Sequence, residues 1–333
     1  MLHQLSNVEV GYQFSSSNAK IDSRIRVIGV GRGGINAVTN MIASNLQGVA
    51  FIATDTDAQS LGEFLAEYKI QLGSTQMRGL LDAEANPQVG QQAALKNIDQ
   101  IKAAISGSDI LFIVTSMGGN TGTGAAPVIA QAAKEQGILT VGMVTSPFSF
   151  EGKKRLESAE AGIEEFRKHV DSLIIIPNDR LLQVAPQKST STEALKKADE
   201  ILYFAVKGIS DLLLRPSLVT LDIHDVRSVM SFSGCLAVMG TGFASGESRA
   251  REAAIKAVAN AELLLPEGVP FGGARRVLMN ITCGPDLGID EVAEAASIVA
   301  EATHEDSQLI FAPLCDENIG DAIRITFIAT GFD

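Results

Sequence analysis

Met117-Gly-Gly-Asn-Thr-Gly-Thr-Gly-Ala-Ala-Pro127 follows an apolar run, Asp109-Ile-Leu-Phe-Ile-Val-Thr115, and leads into a helical pattern from Val128 to Lys134. A strand, a glycine/threonine turn and a helix in succession form a common phosphate cradle. Gly118, Gly119, Gly122 and Gly124 let the backbone turn sharply and bring N–H groups to an anion without a Cβ in the way. The helix that follows adds the positive end of its dipole. An isolated glycine cluster is as often only a tight connection, but the hydroxyls of Thr121 and Thr123 favour phosphate.

Upstream, Arg24 to Val30 reads as a short apolar strand and Gly31-Arg-Gly-Gly34 as a turn. Asn36 to Leu46 has helical spacing, and Val49 to Ala53 is a second strand ending at Thr54-Asp-Thr-Asp57. This βαβ unit implies parallel pairing. It also fits a rival: Gly29, Gly31 and Gly34 satisfy G-x-G-x-x-G, and Asp55 follows at about the 20-residue distance of a dinucleotide fold's ribose-binding acid.

Downstream, the chain is turn-rich from Gln71 to Pro87, then reads as one helix from Val89 to Ile105. After the opening stretch come a strand (Ile138 to Val144), a break at Pro147-Phe-Ser-Phe150, a helix (Glu151 to Lys168) and a strand (Val170 to Ile176) that stops at Pro177-Asn-Asp179. Glu151 and Arg155 stand at (i, i+4), either as solvated surface or over a ligand. The alternation predicts an α/β fold with a doubly wound, largely parallel sheet and two glycine turns at strand carboxyl ends, where such sheets bind ligands. A long helix, Glu193 to Leu214, is apolar on more than one side and marks a domain junction. Beyond Pro216, helices and strands alternate to a closing strand, Ala322 to Ala329, as in a smaller α/β domain with a mixed sheet.

The 333 residues are 46% hydrophobic and 20% charged, enough for two medium cores. A net charge of −12 argues against binding nucleic acid through its phosphates. Cys235, Cys283 and Cys315 show no ligand spacing and read as small buried residues of a reducing compartment; no metal site is expected. No apolar run reaches the roughly 18 residues of a membrane span, and the chain is expected to be cytoplasmic.

Gly118-Gly-Asn-Thr-Gly-Thr-Gly124 is similar to the GGGTGTG signature of the tubulin/FtsZ superfamily, and the surrounding text resembles the FtsZ family of bacterial division GTPases. Further matches are Ile25 to Gly31, Thr56-Asp-Ala-Gln59, Asn86 to Gly90, Pro147 to Arg155, Lys168 to Leu173, Ile176 to Asp179, Asp225 to Met230 and Ala244 to Ala250. The resemblance runs from about residue 24 to 332 and displaces the dinucleotide reading, which leaves the second glycine turn and the C-terminal half unexplained. It implies a two-domain tubulin/FtsZ-like fold: a flexible leader (1–23), a GTP-binding domain (24–188), a long central helix (189–215) and a C-terminal domain that serves activation and polymerisation (216–333).

The resemblance also implies a site for GTP or GDP with Mg²⁺. Gly31, Arg32, Gly33, Gly34, Ile35 and Asn36, with Gly118, Gly119, Asn120, Thr121, Gly122, Thr123 and Gly124, would hold the phosphates. Glu151 and Arg155 would face the ribose; Asn178, Asp199 and Glu200 would face the base. Asp222 and Asp225, with Thr220 in the same loop, would act catalytically on the nucleotide of the next copy in a head-to-tail filament. Without that setting, the two aspartates merely N-cap and charge a helix. Implied partners are further copies of the chain, a second FtsZ-family protein, and division or scaffold proteins at the division site. The alternative is a nucleotide-binding paralogue that co-polymerises but hydrolyses little.

Departures from the family pattern are local. Asn120, Arg32 and Ile35 replace glycines, and Ile35 requires either a position already helical or a reshaped loop. Gly79 to Pro87 is one residue longer than the family's γ-phosphate loop and carries Asp82 and Glu84. Leu195 stands where the family stacks an aromatic on the base, Asp199-Glu200 replaces Asn-Asp, and Thr220 replaces Asn. The end at Asp333, directly after the last strand, is read as a trimmed chain or as a divergent paralogue without the tail that grips membrane tethers.

Overall fold

A computed structural model describes residues 24–332 other than 63, 66–67, 74–85, 185–190, 216, 218, 232 and 233. The expected leader (1–23) and the Asp82 and Glu84 positions lie outside the described residues.

The N-terminal half is built from βα units. β1 (Ile25–Val30) enters α1 (Gly31–Ala43), β2 (Val49–Asp55) precedes the short α2 (Ala58–Gly62), and β3 (Tyr68–Gln71) closes this edge. Two helices, α3 (Pro87–Lys96) and α4 (Ile98–Ile105), stand where one was expected. The break falls at Asn97, whose side chain accepts from Gly73 N and donates to Gln100, local bonds that compete with a continuous helix. β4 (Ile110–Ser116), α5 (Asn120–Glu135), β5 (Leu139–Ser146), α6 (Lys153–Arg167), β6 (Ser172–Pro177) and α7 (Asn178–Val184) follow.

The central helix α8 (Ser191–Leu214) leads to α9 (Ile223–Met230), β7 (Cys235–Ser245), α10 (Arg249–Leu264), β8 (Arg276–Cys283), α11 (Ile289–Ala302), β9 (Gln308–Cys315) and β10 (Ala322–Thr330). The strands form one ten-stranded sheet in the order β3-β2-β1-β4-β5-β6-β7-β10-β8-β9. It is parallel from β3 to β7, then mixed, because β10 runs antiparallel to both β7 and β8. Among the described residues, the two halves share the sheet through the Ser172–Cys235, Leu173–Leu236 and Ile174–Ala237 pairs, a narrow seam beside α8.

β4 is buried along nearly its whole length, as a central parallel strand covered on both faces must be. α8 buries Ala198, Ile201, Leu202, Ala205, Val206, Ile209 and Leu212, packing on α1 from one side and on β7, β8 and β10 from the other. Leu195, which stands where the family stacks an aromatic, is 46% exposed near the helix start. Cys283 is buried as expected, but Cys315 is exposed at the end of the edge strand β9.

Both glycine segments differ from the expected turns. Gly31 has φ +69°, and the helix begins there rather than at Asn36. Ile35 is therefore helical and buried, so its β-branched side chain meets no left-handed backbone. The second helix likewise begins at Asn120 rather than Val128; only Gly118 in that stretch has positive φ, at +95°. The remaining glycines other than Gly119 serve close approach. A Cβ on Gly34 would lie 2.2 Å from Val114 O, and one on Gly124 1.8 Å from Pro87 O. α1 can thus press against β4, and α5 against α3, at backbone contact distance.

Candidate nucleotide site

The starts of α1 and α5 meet at the carboxyl ends of β1 and β4. A Cβ on Gly31 would reach within 3.1 Å of Gly122 N, so the two helix termini abut. Neither the Val30 cap of α1 nor the Gly119 cap of α5 supplies a side-chain acceptor. Two sets of first-turn N–H groups therefore open on the same cavity, about 490 Å³ in volume, where two dipole ends reinforce one another for an anion. Gly119 faces open space: a Cβ there would meet nothing within 4 Å.

Hydroxyls and carboxylates complete this half. Thr121 Oγ1 lies 2.8 Å from Thr56 Oγ1, tying α5 to the end of β2. Thr123 turns inward instead, accepting from Gly118 N at 2.8 Å to hold the Gly118 turn. Asp55, Thr56, Asp57 and Ser60 line the wall opposite the glycines. Burial pushes the Asp55 carboxyl up, whereas the Gln59 backbone N–H holds Asp57 below the usual range. Arg32 pairs with Asp57 at 3.3 Å and lines the same cavity. The sequence reading missed Thr56, Asp57 and Ser60. The matched Thr56-Asp-Ala-Gln59 segment was the available signal, but only the β2–α5 contact assigns these side chains to the cavity.

Asn120 has a structural task of its own. Its Oδ1 accepts from Asn86 N at 2.5 Å, and Asn86 caps α3 through Gln88 N. The residue in place of the signature glycine thus pins the far end of the 79–87 segment to the first turn of α5.

A second cavity, about 510 Å³, shares Arg32, Gly33, Ser116 and Arg155 with the first and extends it toward α8. Asn36, Glu151, Asn178, Leu195, Asp199 and Leu202 line it. Glu151 bonds Arg155 at 3.1 Å and accepts from Phe148 N at 2.8 Å, so this pair both borders the cavity and caps the turn before α6. Phe148 and Phe150 stack with centroids 4.9 Å apart on its rim, an aromatic surface read from sequence only as a chain break.

Asn178 is 5% exposed, and its Oδ1 is buried with no hydrogen-bond partner among the described residues. Such an orphan costs free energy unless a ligand satisfies it. Asp199 accepts from Asn40 Nδ2, and burial pushes its carboxyl up to about 6. Glu200, paired with it in the sequence reading, points elsewhere: it bonds Lys197 at 2.8 Å and lines a separate crevice with Leu181 and Phe204. Adjacent helical residues diverge by about 100°, and here Asp199 turns to the cavity while Glu200 turns to the crevice.

Asp222 and Asp225 lie outside both cavities, at the start of α9. Asp222 accepts from His224 N and Asp225 N, while Asp225 accepts from Asp222 N. Thr220 precedes them in the exposed approach to the helix. The structure brings most of the residues expected to bind nucleotide to the two cavities, but Gly34, Ile35, Gly118, Thr123, Gly124 and Glu200 line neither, and these three stand apart. Among the described residues no group of three or more His, Cys, Asp or Glu could cage a metal. The cavity between α1 and α5 does offer the hard oxygens of Thr56, Asp57 and Thr121, a donor set that suits Mg²⁺, an ion held by one or two carboxylates plus phosphates and water. No described helix is long and apolar enough to cross a membrane.

Residues 24–186 match the GTPase domain of the Tubulin/FtsZ family, and residues 235–333 match the C-terminal domain of the FtsZ family. The chain is 50% identical over 315 residues to the cell division protein FtsZ of Bartonella bacilliformis, covering 95% of this chain and 52% of that protein. It thus spans about half the length of that relative. It is 47% identical to the cell division protein FtsZ of Coxiella burnetii, covering 93% of this chain and 79% of that protein. An FtsZ dimer of M. jannaschii superposes with a TM-score of 0.84 at 38% identity, covering 93% of this chain and 88% of that one. With both domains matched in order around the cleft between α1, α5 and α8, the chain belongs to the FtsZ family of tubulin-like GTPases.

Proposed function

We propose that the chain binds GTP in the cleft and hydrolyses it as a subunit of a head-to-tail filament that serves cell division. The observation that carries this reading is the pair of uncapped helix termini, α1 and α5, opening on a cavity that continues to the orphaned Asn178 Oδ1 and to Asp199.

The N–H groups of both termini hold the phosphates, and Arg32 adds a cation at their edge. Mg²⁺, when bound, offsets the charge of the phosphates beside Asp55 and Asp57. Asn178 Oδ1 accepts from the base. Asp199, once ionised, accepts from the N1–H and N2–H donors that distinguish guanine. Glu151 and Arg155 border the ribose between the two halves, and Phe150 offers an exposed aromatic face where Leu195 offers none.

In this reading the attacking water at the γ-phosphate is oriented by a neighbouring copy. Asp222 and Asp225, fixed by their reciprocal bonds at the start of α9, supply that function to the cleft of the next copy. That one solved relative is a dimer supports association of this kind. Hydrolysis then needs a polymer. Turnover per molecule should rise with protein concentration and be lost in Asp222→Ala; turnover that is linear in protein and indifferent to the substitution sinks the reading. Polymer that pellets with GTP and releases no phosphate supports the paralogue reading instead.

A further inference from the structure

Cys283 ends β8, Cys315 ends β9, and the two are register partners on adjacent parallel strands. In-register residues project from the same sheet face, and neighbouring strands lie about 4.8 Å apart. That spacing falls within the roughly 4.4–6.8 Å Cα separation a disulfide spans. The Cys283 thiol already leans toward β9, donating to Leu314 O at 3.6 Å, the carbonyl just before Cys315. Cys315 is exposed because β9 is the sheet edge, so one thiol of the pair is open to solvent and the other is buried behind it.

The pair is bonded to the end of the central helix. Asp316 N donates to Cys283 O at 2.7 Å. Arg215 Nη2 donates to Cys315 O at 2.9 Å, and Arg215 Nη1 lies 3.6 Å from Asp316 Oδ2. Arg215 directly follows α8 and precedes the segment that carries Thr220 and Asp222.

We propose that Cys283 and Cys315 form a dithiol modification site that closes to a cross-strand disulfide on reaction with a small-molecule disulfide. The Cys315 thiolate, its proton lost to solvent, attacks one sulfur of the external disulfide; that S–S bond breaks and one external thiol leaves. Cys283 then gives up its proton and attacks Cys315 Sγ in the mixed disulfide, expelling the second external thiol. Two protein thiols are oxidised and one external disulfide is reduced to two thiols. Burial pushes the Cys283 thiol up to about 11, which makes the second step the slow one near neutrality. Closing the bond moves the Cys315 backbone and with it the carbonyl that Arg215 holds. This second consequence rests on the filament reading, in which the segment after Arg215 reaches the next copy's nucleotide.

The test exposes the whole protein to glutathione disulfide and maps the products by peptide mass spectrometry without reduction. A cross-linked peptide pair containing Cys283 and Cys315, two hydrogens lighter than the reduced pair, is the expected result. In Cys283→Ser the same treatment should stop at a glutathione adduct on Cys315. A wild-type protein that carries only that adduct, or that links either residue to Cys235, overturns the proposal. In parallel, the oxidised wild type should lose GTP turnover, dithiothreitol should restore it, and Cys283→Ser should show neither change. A closed disulfide with unchanged turnover overturns the link through Arg215, while the mapped peptides judge the dithiol site independently of any GTPase activity.

Discussion

Asp222 and Asp225 hold one another's backbone: Asp225 N donates to Asp222 Oδ1 at 3.1 Å and Asp222 N donates to Asp225 Oδ2 at 2.9 Å. This reciprocal box fixes the start of α9 and presents two carboxylates at a fixed spacing on the exterior. In the proposed filament, capping and catalysis fall to the same carboxylates, and a substitution separates the two roles. Asn is as good an N-cap as Asp. Asp222→Asn should leave the melting temperature within a degree or two of wild type and abolish phosphate release. Asp222→Ala should lose turnover and also about 1 kcal/mol of stability. Thermal unfolding and phosphate release on both variants check the pair.

Glycines within one loop should differ in what they cost. Gly124→Ala drives a methyl into Pro87 O and forces α3 away from α5, a loss of about 1–3 kcal/mol. Gly119→Ala enters open space at φ −98° and should unfold like wild type. Chemical denaturation of the two variants measures the contrast.

Asp199 sets a pH dependence. Its carboxyl is raised from 3.8 to about 6 by burial, so the folded state holds its proton more tightly than the unfolded state does. Its contribution to stability is complete below pH 4 and declines as pH rises through about 6. Asp199→Asn should therefore gain stability relative to wild type across that window and stay level above it. Guanine favours the ionised form, so GDP affinity of the wild type should rise through the same window and that of Asp199→Asn should stay flat. Melting curves and titration calorimetry from pH 4 to 8 test both signs.

Arg249 is 6% exposed and bonds Glu291 through two nitrogens at 2.6 and 2.9 Å, Asp286 at 2.9 Å and Asp321 O at 2.8 Å. Arg249→Ala leaves Glu291 without its partner at the foot of α11. The cost should be about 3 kcal/mol, at the low end for a broken buried pair because Glu291 keeps some contact with water. Arg249→Lys should recover only part of it, since a point charge cannot reproduce the fork. Urea unfolding measures both.

The strand–glycine–helix order at residues 109–134 and the βαβ unit before it were legible because apolar runs and glycine clusters are local signals. The point where each helix begins was not. Gly31 to Gly34 and Asn120 to Gly124 have poor intrinsic helix propensity and are helical because backbone must approach Gly122, Val114 and Pro87 there. β3 and α7 are too short to show a period. Within the site, Asn36, Asn178 and Asp199 could be assigned to the cleft by resemblance, whereas Thr56 and Asp57 depended on the contact with Thr121. Glu200 shows the opposite limit: its neighbour enters the cavity, but Glu200 pairs with Lys197 and lines a separate crevice.

In the proposed filament the working site is shared between two copies, and mixing two inactive variants tests that sharing. Gly119→Asp adds a carboxylate to the open phosphate half and should block nucleotide binding, while Asp222→Asn keeps its cleft but loses the catalytic carboxylate. Each alone should release no phosphate from GTP. Equimolar mixing should restore turnover, because an Asp222→Asn cleft can be completed by the intact Asp222 of its Gly119→Asp neighbour. A mixture that pellets as polymer and stays inactive, or an Asp222→Asn protein that hydrolyses GTP at the wild-type rate, rules out a shared site.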